Sequence, residues 1–143
     1  MRPYLTWIFT SIRGFGWLPF AFFLFHVVVS QVFEAYLRLP GLDIPMHFLG
    51  GSVITWFLWR SLRHPTAVEA LGPRRFQADI LLAGLGVGTV IGLWEFAEWS
   101  TDALGITEAQ VGLDDTMLDM FLGLAGGWCY LAWAVGWRKS NQA

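Results

Sequence analysis

Residues 76–99 read FQADILLAGLGVGTVIGLWEFAEW, and this stretch decides the architecture. It is longer than the ~20 mostly apolar residues that carry a helix across a bilayer. Its charges sit only at its ends: Asp79 near the start, Glu95 and Glu98 near the finish. Between them Gly84, Gly88 and Gly92 recur every four residues, a small-residue stripe of the kind that lets membrane helices approach closely.

Three further stretches of this kind flank it, at residues 16–36, 44–62 and 116–137. The expected fold is therefore all-α: one polytopic membrane domain over residues 1–143, with about four transmembrane helices. Ahead of the first span, Tyr4, Leu5, Trp7, Ile8 and Ile12 mark a segment too short to cross. It reads as an interfacial helix or as an extension of the first span. Arg13 interrupts the first apolar run and no small-residue cleavage site follows, so the chain is expected to be mature throughout.

Composition agrees. The chain is 55% hydrophobic and 14% charged, with nine tryptophans and twelve phenylalanines, more apolar surface than a soluble domain this size can hide. A formal charge of -2 leaves no basic footprint for nucleic acid. Cys129 is the single cysteine, which excludes an intrachain disulfide and a cysteine-based zinc site.

The charges set an orientation. Arg2, Arg13, Arg60, Arg63, Arg74, Arg75, Arg138 and Lys139 fall on one side of the four-span arrangement, and only Arg38 on the other. The positive-inside rule then puts both termini and loop 61–75 on the cytoplasmic side. Loops 37–43 and 100–115 face outward. Nine of the eleven carboxylates gather at that outer face: Glu34, Asp43, Glu95, Glu98, Asp102, Glu108, Asp114, Asp115 and Asp119. Acidic residues contribute little to topology, so this asymmetry needs another cause.

Helical spacing narrows it. Asp43 and His47 are one turn apart, as are Asp115 and Asp119, and Glu95 and Glu98 share a face. His47, Glu95 and Asp119 each sit about a turn inside the interface, where a charged side chain costs ~2.5 kcal/mol or more. Three helices accepting that cost at one depth point to a shared polar site in the bundle. The glycine stripe lies on the same side as Glu95 and Asp102, and Gly123 and Gly126 flank the direction of Asp119, so these carboxylates are expected to face packed neighbours.

The same residues carry a resemblance. DIPMHFLGG at 43–51, WEFAEW at 94–99 and DDTMLDM at 114–120, with Gln110 before the last, resemble the YjdF-like family of small bacterial inner-membrane proteins of unknown function. The resemblance spans residues 43–127 and implies a fold and a site, without a reaction. VanZ-like proteins, associated with glycopeptide resistance, are more loosely similar, through an Asp-x-x-x-His-Phe motif, a later helical Glu and an Asp before a glycine-rich helix. This chain departs from them: Glu98 stands where they carry glutamine, and no arginine occurs between Arg75 and Arg138.

Carboxylates with one histidine and no thiolate suit a divalent cation: Mg, Mn, Ca, Fe or Zn. Asp43, His47, Glu95, Glu98, Asp115 and Asp119 are the candidate ligands. Without a cation, some of these carboxylates would have to take up protons. A metal-dependent enzyme would polarise an oxygen of a lipid-linked or envelope substrate, with His47 or Glu95 as general base. Against a phosphatase stands the scarcity of basic residues near the cluster, where only Arg38 falls. A cation- or proton-handling transporter and a non-catalytic subunit or assembly factor are the alternatives. Other partners expected are the lipid bilayer and a second copy docked through Gly84, Gly88 and Gly92. Structural roles compete at several positions: helix caps for Asp43, Asp114 or Asp115, and solvated interfacial positions for Glu98 and Asp102. His26, with Glu34 on a similar face, is a buried hydrogen-bonded histidine or a proton path towards the site. Glu34 and Arg38 form an i,i+4 pair, and His64 is a solvated loop residue.

Overall fold

A computed structural model describes residues 2–33, 35–107, 109–110 and 112–140. Those residues form helices and connecting turns, with no strand among them. The elements in order are α1 (Pro3–Phe15), α2 (Trp17–Val27), a π-helical turn (Val28–Val32) and α3 (Ala35–Arg38). A 3-10 turn (Pro40–Leu42) then leads into α4 (Asp43–Leu62), α5 (Pro65–Leu71), α6 (Phe76–Ala103) and α7 (Leu113–Ser140).

The first expected span opens at a helical break and gives way, past α2, to the π-helical turn and α3. Pro19 has no N–H to offer the carbonyl of Phe15, four residues back, so the helical ladder breaks there. α1 and the following helix meet at 58° across Gly16. α1 is thus a separate helix, docked by Trp7 Nε1 donating to Ser61 O (2.8 Å) and by Thr10 Oγ1 at 3.1 Å from Thr66 Oγ1. Its Tyr4, Leu5, Ile8, Phe9 and Ile12 stay exposed. That is the surface of an interfacial helix.

α6 and residues Leu113–Arg138 of α7 are each long and apolar enough to cross a membrane, and the bent α1–α2 pair makes a third candidate. α4 has the length, 20 residues or about 30 Å. It does not reach the same apolarity among the described residues, because His47, Ser52, Thr55 and Ser61 interrupt it. Trp17, Trp99, Trp133 and Trp137 are exposed, as tryptophans at a membrane interface are. Trp59 instead belongs to the core with Leu62, Ala83 and Leu131, and Trp7 packs against it.

The most extensive helix pair is α4 with α7, and glycine makes it possible. A methyl group on Gly51 would fall on the carbonyl oxygen of Gly123, and one on Gly126 on the carbonyl of Phe48. Ser52 Oγ sits 3.0 Å from both Phe48 O and Gly126 O, so its hydroxyl ties the helices where they touch. The α6 stripe packs within the same chain: a Cβ on Gly84 would meet Trp128 at 2.6 Å, and one on Gly88 would meet Leu124 at 3.6 Å. Two of the three glycines expected to dock a second copy are therefore spent on α7, and only Gly92 has open space.

At the arginine-rich end, Arg74 organises the loop. It donates to Asp79 (2.9 Å) and to the carbonyls of Leu62 (2.8 Å), Gly72 (3.0 Å) and Ala67 (3.1 Å). Arg63 adds a longer contact to Asp79 at 3.8 Å. Arg74→Met leaves Asp79 buried with that one distant partner, and a loss of about 3 kcal/mol is expected in unfolding in detergent. Adding Asp79→Leu should recover most of it, which distinguishes the stranded charge from lost packing. His64, expected as a solvated loop residue, is half-buried and caps α5, its Nδ1 2.8 Å from Thr66 Oγ1.

Candidate functional site

The α4–α7 seam sets the register of the acidic end. The two helices run in the same direction, and Gly51 meets Gly123. One turn back along each lie His47 and Asp119, which the seam therefore brings together. His47 Nε2 lies 3.6 Å from Asp119 Oδ1 and 3.2 Å from Asp43 Oδ1, one turn earlier on α4. Ligand-capable atoms of Asp43, His47 and Asp119 all fall within 4.8 Å of one another.

Burial sharpens the group. Asp119 is only 5% exposed, and its Oδ1 has no hydrogen-bond partner among the described residues. Glu95 is also 5% exposed, and both its carboxylate oxygens lack a hydrogen-bond partner among the described residues. Buried polar atoms are nearly always satisfied, so three orphaned acceptors at one place require an explanation. A proton or a cation at the carboxylates supplies one.

Each expected site residue has a definite place. Asp43, expected as a cap or a ligand, lies in the first turn of α4, one residue past the N-cap Leu42, and faces His47. Asp114 and Asp115 occupy the first turn of α7, where a carboxylate favours the helix dipole. Glu98 and Asp115 are half-buried and stand outside the three-residue group. Asp102 has a structural role: it accepts from Thr107 Oγ1, from Ala109 N (2.9 Å) and from Gln110 N (2.8 Å). It thereby folds the loop back over α6, and Gln110 Nε2 donates to Glu95 O at 3.2 Å. His26 Nδ1 pairs with Tyr36 Oη at 2.8 Å, and its ring meets Trp94 edge-on at 5.4 Å. Glu34 and Glu108 lie outside the described residues, and with them the Glu34–Arg38 pair.

Beside the group is a cavity of ≈ 160 Å³. His47, Glu95 and Asp119 line one part, with His26 nearby. The rest of the wall is apolar, with Phe22 and Phe23 of α2, Ile54 of α4, and Val90 and Ile91 of α6. The sequence reading passed over Tyr36, and gave Gln110 and Gly51 only as parts of the resembling segments. Gly51 carried a signal, a glycine one turn beyond a candidate ligand. For Tyr36 and Gln110 only the fold reveals the contact.

A helical membrane protein with a buried Asp/His group at one end is the class these features define. Comparison with known sequences makes it specific. Residues 5–140 match the family described as "Predicted membrane protein (DUF2238)", and the chain belongs to that family. It is similar to an uncharacterized protein of Thermotoga maritima, 36% identical over 117 residues. That alignment covers 81% of this chain and 58% of the relative, so the chain spans little more than half of that protein's length. No solved structure matches.

Proposed function

We propose that this protein holds one divalent cation between Asp43, His47 and Asp119, with Glu95 beside them, on the outer side of a bacterial inner membrane. The observation that carries this reading is the convergence of three ligand-capable side chains within 4.8 Å, one of them buried with an unpartnered oxygen. The donor set, carboxylates with one imidazole, suits Mg, Mn, Fe or Zn, and Ca where carboxylates dominate. Glu98 and Asp115 lie further out and add negative charge that attracts cations towards the site.

A cation there would polarise a substrate oxygen or activate water at the acidic end. His47 Nε2 faces both aspartates, which commits it to the ligand group. Of the two candidate bases, Glu95 is then the one with unpartnered oxygens left for a proton. The substrate this suits is lipid-embedded, because the cavity beside the group is walled by apolar side chains. A transport path has less support, since the α4–α7 seam and the Trp59–Leu62–Ala83–Leu131 core are closely packed on the other side of the site. The orientation rests on the arginines: Arg60, Arg63, Arg74 and Arg138 gather at the end opposite the cluster.

The test is elemental analysis of protein purified without chelators. Roughly one divalent ion per chain is expected, removable by EDTA and restored by Mn²⁺. Protein free of stoichiometric metal that also fails to take up Mn²⁺ would sink the reading.

A further inference from the structure

We infer that the cavity beside the cluster binds a long-chain alcohol, with its hydroxyl at Glu95 and Asp119 and the first carbons of its chain between α2, α4 and α6. Only the choice of head group rests on the cation reading above.

The chain part follows from the wall. Phe22, Ile54, Val90 and Ile91 line the cavity away from the carboxylates. Phe23 and Val90 line it and are also exposed on the outside of the helices, so the cavity opens sideways between α2 and α6. Around that opening Phe20 and Leu93 are exposed as well. In a membrane-spanning bundle this surface meets lipid, and the entrant is an apolar chain. A cavity of ≈ 160 Å³ compares with one of about 150 Å³ that accepts benzene, which is room for about six carbons of a single chain.

The head follows from charge and hydrogen bonding. Asp43, Asp119 and Glu95 bring three carboxylates, more than one divalent ion offsets. Among the described residues no lysine or arginine lines the cavity. A phosphate or carboxylate head would meet net negative charge, and an ammonium head would compete with the cation. An uncharged head remains. Both oxygens of Glu95 and Oδ1 of Asp119 are acceptors without a donor among the described residues. A hydroxyl supplies the donor hydrogen and can also present its oxygen to a cation. An ester cannot donate.

The experiment uses the full chain in phosphatidylcholine nanodiscs with hexadecanol carrying a diazirine in its chain. Photolabelling followed by peptide mass spectrometry should place the label on α2, α4 and α6 at the cavity wall. Unlabelled hexadecanol should compete, while hexadecyl phosphate and hexadecylamine should not. Val90→Trp fills the wall without touching the cluster and should cut labelling about tenfold or more. Ile54→Trp repeats the test from α4, and a cooperative thermal unfolding transition like the parent's shows that each variant is folded. Label spread evenly over lipid-facing positions such as Phe20 and Leu93, and insensitive to both variants, overturns the proposal. Stronger competition by the phosphate or the amine overturns the choice of head. Cavity labelling in a protein that takes up no Mn²⁺ refutes the cation site and leaves the alcohol site standing, whereas Mn²⁺ uptake with even labelling does the reverse.

Discussion

Replacing Asp119 by asparagine should weaken divalent-cation binding at least about 100-fold while leaving the bundle folded. Loss of an outer-shell partner already costs a metal site about 10- to 100-fold, and Asp119 is placed as a direct ligand. Its Oδ1 has no hydrogen-bond partner to lose, so the isosteric amide removes charge without breaking a bond at that atom. The same buried position makes the change informative. An aspartate 5% exposed inside an apolar bundle is stable only with its charge offset. With the cation removed, Asp119→Asn should therefore unfold at a higher temperature than the parent, and with saturating Mn²⁺ at a lower one. This crossing of two melting curves is the measurement. A purely structural aspartate gives no crossing, because its contribution would not depend on metal. His47→Ala should likewise lose the ion. Glu95→Gln should keep most of the affinity, since Glu95 lies beside the three-residue group without belonging to it.

The second large effect is expected at Gly51. Any side chain there is driven into the carbonyl of Gly123, a backbone atom that cannot swing away. α4 and α7 must separate or slide, and overpacking of that kind costs about 3 kcal/mol or more. Gly51→Val should thus lower the unfolding midpoint in detergent sharply. It should also abolish Mn²⁺ uptake, because the register that puts His47 against Asp119 depends on the same contact. Gly126→Val should behave alike, through the carbonyl of Phe48. Gly92→Ala is the control. Nothing lies within 4 Å of its added methyl, and the helix gains propensity, so stability should stay within about 0.5 kcal/mol or rise. A Gly51→Val protein as stable as the Gly92→Ala one would show that the close seam is not what holds the bundle together.

The all-helical membrane fold was legible from hydropathy and span length, because the bilayer demands long apolar runs whatever the tertiary arrangement. The acidic end was legible for a related reason. Carboxylates inside apolar segments are costly, and helical spacing alone puts Asp43 near His47 and places Asp119 a turn inside the span. Both arguments use only distances along one helix. Whatever depends on pairs of helices was out of reach. Hydropathy counted residues 16–36 as one continuous stretch, whereas the structure divides it into α2, a π-helical turn and α3. The α6 glycines suggested a second copy, yet Gly84 and Gly88 pack on α7. Of six candidate ligands, spacing set His47, Glu95 and Asp119 deepest, whereas the structure groups His47 and Asp119 with Asp43.

The sequence by itself therefore determined the class of protein, the helical spans near residues 76–99 and 116–137, and the end at which the charge gathers, since these follow from apolar length and the 3.6-residue period. Only the tertiary structure decided that Asp43, His47 and Asp119 form one group, and that an apolar cavity adjoins it. Those depend on how closely two helices approach and in what register, which here rests on glycines whose missing side chains leave no hydropathy signal.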